Sequence, residues 1–336
     1  PASPGAATGV VATPTVADPD PTASGAPTGN PSDSTTATAT EQPSPTDPAT
    51  ETPDTTPTET ANPSPTASVA ATPTQRQEPE GSVLPGSRVV SFYGHPNSEH
   101  MGILGEFDID TVAGLLREQA AAFAAADPSR PVVPALELIA TVAQPVPGDD
   151  GTYVAYTGDE IIGEFAEYTA ANGMLLILDL QIGHSTIRDE IARISHWLEL
   201  PHVHVALDPE FSTGPDRIPG EFIGEVDGAH VQIAVEYLSE LVAEKNLPSK
   251  ILIVHQFEEE MILNKSAIKP LPGVDIVIDM DGFGSPEAKV QNYHHFVRDE
   301  LVEYGGIKLF YRQDDPLLTP EEIVALDPPP LVVIYQ

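Results

Sequence analysis

From about residue 83 the chain is punctuated by eight short apolar runs, each bounded by polar or turn-forming residues. They are Val89 to Tyr93, Val133 to Ala140, Leu175 to Leu180, Val203 to Leu207, Ile251 to Val254, Val274 to Ile278, Ile307 to Tyr311 and Leu331 to Tyr335. Continuous rather than alternating hydrophobicity marks strands covered on both faces, as in a parallel sheet. Between the runs the spacing turns helical. Asp110 is placed to cap a helix over Thr111 to Ala125, and Asp159 opens one that runs to Ala171 and stops at Gly173. Ser185 precedes a third over Ile187 to Leu198, and further helices are expected over Ala229 to Lys245, Pro286 to Tyr304 and Pro320 to Leu326. Strict β/α alternation, eight strands and the absence of a Gly-rich phosphate loop after the first strand favour an α/β fold of the (β/α)8 TIM-barrel type over an open doubly wound sheet. The last run ends at the chain's last residues, so the barrel is expected to lack its final helix, and something else must cover that seam.

The first 82 residues read differently. They are rich in Pro, Thr, Ser and Ala, with scattered acids and Arg76 as their one base, and they contain no aromatic residue. So little apolar surface cannot offset ordering entropy, so residues 1–82 read as a disordered spacer ahead of a barrel domain over residues 83–336.

Composition narrows the chemistry. With 51 acidic against 15 basic residues and a formal net charge of −36, the chain has too few clustered cations for nucleic acid or an anionic membrane. It has no cysteine, which excludes disulfides, thiol nucleophiles and thiolate-bound metals. No apolar run reaches the roughly 18 residues of a membrane span. The opening at Pro1, without a signal peptide, reads as a processed chain.

In such barrels chemistry gathers where strands end. The polar residues there are Tyr93 and His95, Glu137, Asp179 and Gln181, Asp208 and Glu210, His255 and Gln256, Asp279 and Asp281, Tyr311 and Arg312, and Tyr335 and Gln336. Leu207-Asp208-Pro209-Glu210 is the sharpest of these. Residues i and i+2 face the same way about 6 to 7 Å apart, so both acids can point into the mouth, where two like charges raise a pKa and prepare one group as a general acid. Glu210 is the expected acid and Asp208 its partner; the alternative is that the pair caps the next loop or binds Arg217. A glycosidase would need a second carboxylate across the scissile bond, and Asp179, Asp279 and Asp281 are the candidates. Asp281, followed by Gly282 and Gly284, can equally belong to a turn. Tyr93, His95, Glu137, Gln181, His255, Asp281, Tyr311, Arg312 and Gln336 are the expected substrate contacts, whereas His202 and His204 sit low in the fourth strand as core residues. The long connections over residues 141–157 and 211–228 read as lids or subsites.

Several segments carry a family resemblance: Phe92-Tyr93-Gly94-His95-Pro96 with Gly102-Ile103-Leu104-Gly105-Glu106, Pro134 through Ala140, Leu207 through Glu210, and Leu252 through Phe257. Together they resemble a family of uncharacterised exported bacterial lipoproteins, many of them actinobacterial. That resemblance implies export and a surface anchor; the anchoring cysteine is not in this chain. Asp208-Pro209-Glu210 is also distantly similar to the Asp-x-Glu motif of chitinase-like and muramidase-like glycoside hydrolase barrels. The chain has Val203 and Ala206 where the former carry further aspartates, and Ser91 and Tyr93 where the latter carry one on the first strand.

The expectation is therefore a secreted or surface-tethered glycoside hydrolase-like protein, monomeric and without a cofactor, acting on a polysaccharide or cell-wall glycan. It would touch a membrane only through a lost N-terminal lipid anchor. The alternatives are a hydrolase or lyase using a divalent cation held by acids such as Asp179, Asp208, Glu210 and Asp279 with His255, and a non-catalytic glycan-binding scaffold.

Overall fold

The computed structural model describes residues 79–336. The spacer expected over residues 1–82 lies, as far as residue 78, outside the described residues. Residues 79–82 already belong to the domain's base: Ser82 Oγ accepts the Ser249 N–H at 2.9 Å, and the nearby Leu84 packs among the barrel's inner side chains.

Eight parallel strands close into a barrel. They are β1 (Arg88–Gly94), β2 (Val132–Ala143), β3 (Leu175–Gln181), β4 (Val203–Asp208), β5 (Lys250–Gln256), β6 (Val274–Met280), β7 (Tyr304–Leu309) and β8 (Val332–Tyr335). Each pairs with the next, and β8 returns to β1. Outside lie α1 (Ile109–Ala126), α2 (Asp159–Asn172), α3 (Ile187–Arg193), α4 (Gly228–Lys245), α5 (Pro286–Tyr293) and α6 (Pro320–Val324). Alternation along the strands sorts side chains into two layers. Val89, Ala135, Ile177, Ala206, Ile253, Val277 and Ile334 fill the lumen, whereas Val90, Leu136, Leu178, Val205, Leu252, Ile276 and Val333 pack beneath the helices.

Several boundaries differ from the sequence expectation, each for a local reason. Asp108, not Asp110, caps α1, accepting the Thr111 N–H at 3.0 Å. Thr186 rather than Ser185 caps α3, which breaks at Ile194 before a separate turn over Ser195–Leu198. Strict alternation fails between β5 and β6, where two single 3-10 turns flank the short strand Ile262–Leu263 in place of a helix, and Pro270, Pro272 and Gly273 close the connection. The helix expected over Pro286 to Tyr304 ends in a π turn at His294–Arg298, and Tyr304 opens β7 instead. Gly305 and Gly306, which look like turn residues, lie inside that strand. A Cβ at Gly305 would stand 2.5 Å from the Tyr293 hydroxyl, so the glycine permits close helix packing rather than a turn.

Both long connections carry structure of their own. Val154–Tyr156 pairs antiparallel with the end of β2, and Val226–Asp227 pairs with Ile262–Leu263 in a small separate ladder. Among the described residues no helix follows β8. The seam is covered by the outward ring of Tyr335, which meets Phe92, Phe123 of α1 and Tyr311 edge-on or stacked and accepts a hydrogen bond from Gln119 Nε2 at 2.8 Å. No helix among the described residues is long and apolar enough to cross a membrane.

The loops at the carboxyl rim are stitched by buried ions. Lys289 of α5, 1% exposed, donates to the carbonyls of Gly282 and Lys308 at 2.6 and 2.7 Å and pairs with Asp314 at 3.0 Å. Asp314 in turn accepts the N–H groups of Gly284 and Phe310, at 2.8 and 2.9 Å, so one carboxylate ties the loops after β6 and β7. Removing one partner of such a pair strands the other charge in the interior. Asp314→Ala is expected to lower unfolding free energy by about 3 to 5 kcal/mol, read by urea denaturation; a loss below about 1 kcal/mol, the range of exposed pairs, would remove the pair from the account.

Candidate active site

The sequence places acidic or basic residues at inward positions near the top of six strands, and the barrel brings them together. Tyr93 stands on β1, Glu137 on β2, Asp179 on β3, Asp208 on β4, His255 on β5, Asp279 on β6 and Lys308 on β7; Glu210 and Asp281 follow just past β4 and β6. Register enforces the meeting: Tyr93 lies opposite Glu137, and His255 opposite Asp279.

His255 is the hub. Its Nε2 is 3.1 Å from Glu137 Oε1 and 3.7 Å from Asp179 Oδ1, while Nδ1 is 3.0 Å from Asp279 Oδ2 and 3.4 Å from Asp281 Oδ2. Tyr93 donates its hydroxyl to Asp179 Oδ2 at 3.1 Å. Lys308 Nζ reaches Asp281 Oδ2 at 3.1 Å and sits 3.8 Å from the centre of the Tyr93 ring, a cation–π contact. Asp208 caps the short turn Pro209–Phe211 through the Glu210 N–H at 3.1 Å, which aims the two acids of the motif differently. Asp208 therefore does cap the following turn. Arg217 instead lies against the Phe222 ring.

Electrostatics follow from the count: six carboxyl groups face two bases, and nearly all are buried. Burial raises Asp179 well above the usual range, and the fields of Asp208 and Glu137 add to it against His255 and Lys308. Asp279 is raised too, mainly by burial, although its hydrogen bond to His255 opposes this. Burial and the neighbouring Glu210 push Asp208 up to about 7, and burial with the field of Asp281 does the same to Glu210. For His255, burial works against the charged form, but hydrogen bonds to Asp279 and Glu137 and the field of Asp281 outweigh it and raise its pKa well above the ordinary value. Lys308 is likewise held charged against burial by Asp281, Asp208, Glu137 and Asp279. Tyr93 stays a phenol, since burial and surrounding carboxylates both raise it.

Depth divides the acids. Glu137, Asp179 and Asp279 have no solvent exposure, Asp208 and Asp281 are 4% and 8% exposed, and Glu210 is half-buried at the mouth. Glu210 and Asp281 are thus the carboxyls nearest the opening. Within this cluster four buried carboxylate oxygens have no hydrogen-bond partner: Glu137 Oε2, Asp179 Oδ1, Asp279 Oδ1 and Asp281 Oδ1. Two overlapping sets, Glu137 with Asp179 and His255, and His255 with Asp279 and Asp281, each place donor atoms within 4.8 Å of one another, the spacing in which a metal ion can be held.

Five expected contacts lie elsewhere. Gln181 is buried, with Oε1 accepting the Ala143 N–H at 2.8 Å. His95 bonds Thr157 Oγ1 through Nε2 at 3.1 Å. Tyr311, Arg312 and Gln336 line a separate groove of about 430 Å³ beside α1, where Arg312 pairs with Glu106 at 2.9 Å. His204 is a core residue as expected, its Nδ1 accepting the Ile251 N–H at 3.0 Å. Two site residues escaped the sequence reading. Lys308 was hidden because the Gly pair pushed the expected strand too far along the chain. Gly306 leaves the room Asp279 occupies, since a Cβ there would stand 2.8 Å from Asp279 Oδ1. The pattern Ile307-Lys308-Leu309, a lysine amid strand residues, was the available signal.

Two outcomes follow for metal-free protein in chelator. Asp208 and Glu210 titrate near 7 when folded and near the ordinary 3.8 and 4.5 when unfolded, so the folded state holds extra protons between those values. Their stabilising contribution is complete below about 4 and is lost as pH rises through 7; His255, also raised, acts in the same direction. The thermal midpoint is expected to fall from pH 5 to pH 8 in differential scanning calorimetry, and a flat or rising profile would contradict the proton-sharing arrangement. Lys308→Met is expected to destabilise more at pH 8 than at pH 5, because the carboxylates it faces are then charged; an equal loss at both would mean the ammonium acts through packing alone.

Among known proteins, no family model and no curated sequence matches this chain.

Proposed function

We propose that this domain is a glycoside hydrolase-like protein that cleaves an extracellular or cell-wall glycan, with Glu210 as general acid, Asp208 as the partner that shares its charge, and Asp281 as the second carboxylate. The observation that carries the reading is Glu210 itself: half-buried at the carboxyl mouth of a β/α barrel, with a pKa lifted to about 7 by burial and Asp281. A carboxyl that keeps its proton near neutral pH can deliver it to a departing glycosidic oxygen. Asp281, salt-bridged to Lys308 at 3.1 Å, supplies negative charge from just past another strand, as stabilisation of an oxocarbenium-like state requires. Asp179 and Asp279, both fully buried, support the acids above them rather than meeting substrate. The large acid excess favours neutral or amino-bearing sugars over polyanions. Export and surface attachment through a lipid anchor belong to the same proposal, resting on the sequence resemblance.

The test is overnight incubation of wild type and Glu210→Gln with peptidoglycan and with neutral and amino-sugar polysaccharides, products read by mass spectrometry and folding by circular dichroism. Wild type should release oligosaccharides, with turnover falling as pH rises through about 7, and the variant should be slower by roughly 10²- to 10⁴-fold while folded. Undiminished turnover by the variant, or no product from any glycan with folded wild type, would overturn the assignment; sugar binding without product would identify a binding module instead.

A further inference from the structure

Below the proposed acid pair lies a second arrangement that does not depend on it. We propose that Glu137, Asp179 and His255 form a binding site for one divalent transition-metal ion in the barrel core. The three donors come from β2, β3 and β5, and His255 Nε2 stands 3.1 Å from Glu137 Oε1 and 3.7 Å from Asp179 Oδ1. Donors bound to one ion at about 2.1 Å lie about 3.0 to 3.4 Å from each other, so the barrel already holds them near ligating separation.

Acids in a cluster do not alone make a site. The independent observation is that Asp179 Oδ1, on a side chain with no solvent exposure and 3.7 Å from His255 Nε2, has no hydrogen-bond partner, and that the second oxygen of the fully buried Glu137, Oε2, has none either. Leaving such oxygens unsatisfied is costly. His255 Nδ1 is held 3.0 Å from Asp279 Oδ2, which leaves Nε2 as the ring nitrogen facing Glu137 Oε1 and Asp179 Oδ1. An ion at that point would take all three atoms as ligands.

The surroundings also suit a metal. Asp279 holds the far nitrogen of the ligating imidazole, and Tyr93 holds the other oxygen of Asp179 at 3.1 Å. Such outer partners fix the tautomer and ligand orientation in histidine–carboxylate sites. One imidazole with two carboxylates favours Mn²⁺, Fe²⁺, Co²⁺ or Zn²⁺ over Ca²⁺ and Mg²⁺, which prefer all-oxygen shells.

The experiment uses the full chain. Metal content of purified protein is measured by inductively coupled plasma mass spectrometry; chelator-stripped protein is then titrated with Mn²⁺ and followed by electron paramagnetic resonance with spin-echo detection of ligand nitrogen. One tightly held ion per chain with ¹⁴N coupling is expected. Glu137→Gln and Asp179→Asn should each weaken binding at least about 10-fold, and Tyr93→Phe by roughly 10- to 100-fold, while Glu210→Gln binds as wild type does. No uptake of Mn²⁺, Co²⁺ or Zn²⁺ by folded wild type would overturn the site, as would bound Mn²⁺ without nitrogen coupling, a result that does not depend on any variant folding. Because the readout is ion binding, failure here leaves the glycan assay untouched, and the reverse holds equally.

Discussion

The mouth of this barrel is organised by one constraint, the need to neutralise six carboxyl groups gathered around a single imidazole and a single ammonium. The inward position near the top of each of β1 to β7 contributes a polar group, and the closure of the sheet leaves those groups nowhere else to go. Water cannot solvate charges with no exposed surface, so the surplus has to be met by protons, by hydrogen bonds or by a cation. His255 answers part of it by contacting acids on three different segments, and Lys308, two strands along, answers another part at Asp281. Raised pKa values at Asp179, Asp208, Glu210 and Asp279 are the visible consequence of what is left over.

That arrangement makes demands on the scaffold. A lysine can sit beneath the mouth only if β7 is held in register, and the carbonyl of Lys308 is fixed by the buried ammonium of Lys289, itself paired with Asp314. Asp279 reaches His255 only because Gly306, beside it on β7, carries no side chain. Lys265 performs a similar task behind β5, donating to Gln256 Oε1 at 2.7 Å and so restraining the residue next to His255. These three buried lysines are thus divided by role: Lys308 enters the cluster, while Lys265 and Lys289 hold the segments that carry it.

Eight apolar runs at β/α spacing made the closed barrel legible, because burial on both faces leaves a mark in composition that local irregularities do not erase. The same parity argument located Asp179, Asp208, His255 and Asp279 from the ends of those runs. It failed at β7. Gly305 and Gly306 serve close packing against Tyr293 and Asp279, yet in sequence they are indistinguishable from a turn, and the misplaced strand start hid Lys308 while promoting Tyr311 and Arg312. Those two follow β7 toward α1, where Arg312 meets Glu106, a partner more than 200 positions away that no local pattern announces. Depth was equally invisible: sequence treated Asp179, Asp279 and Asp281 as equivalent candidates, and only the barrel's layering separates two fully buried acids from one near the opening.

Layering also explains how one cluster can serve chemistry and charge balance together. Glu210 and Asp281 stand where a substrate can reach, and their protonation is set by neighbours beneath them. If His255 is an imidazolium, both of its nitrogens donate and the lower acids are balanced by that charge. If instead an ion occupies the point between Glu137, Asp179 and Nε2, His255 is neutral and the ion carries the positive charge. The two states exclude one another at a single nitrogen, yet both present positive charge to Asp208 from below. What differs is whether the core's positive charge enters as a proton from water, one unit on the imidazole, or as a bound ion carrying two.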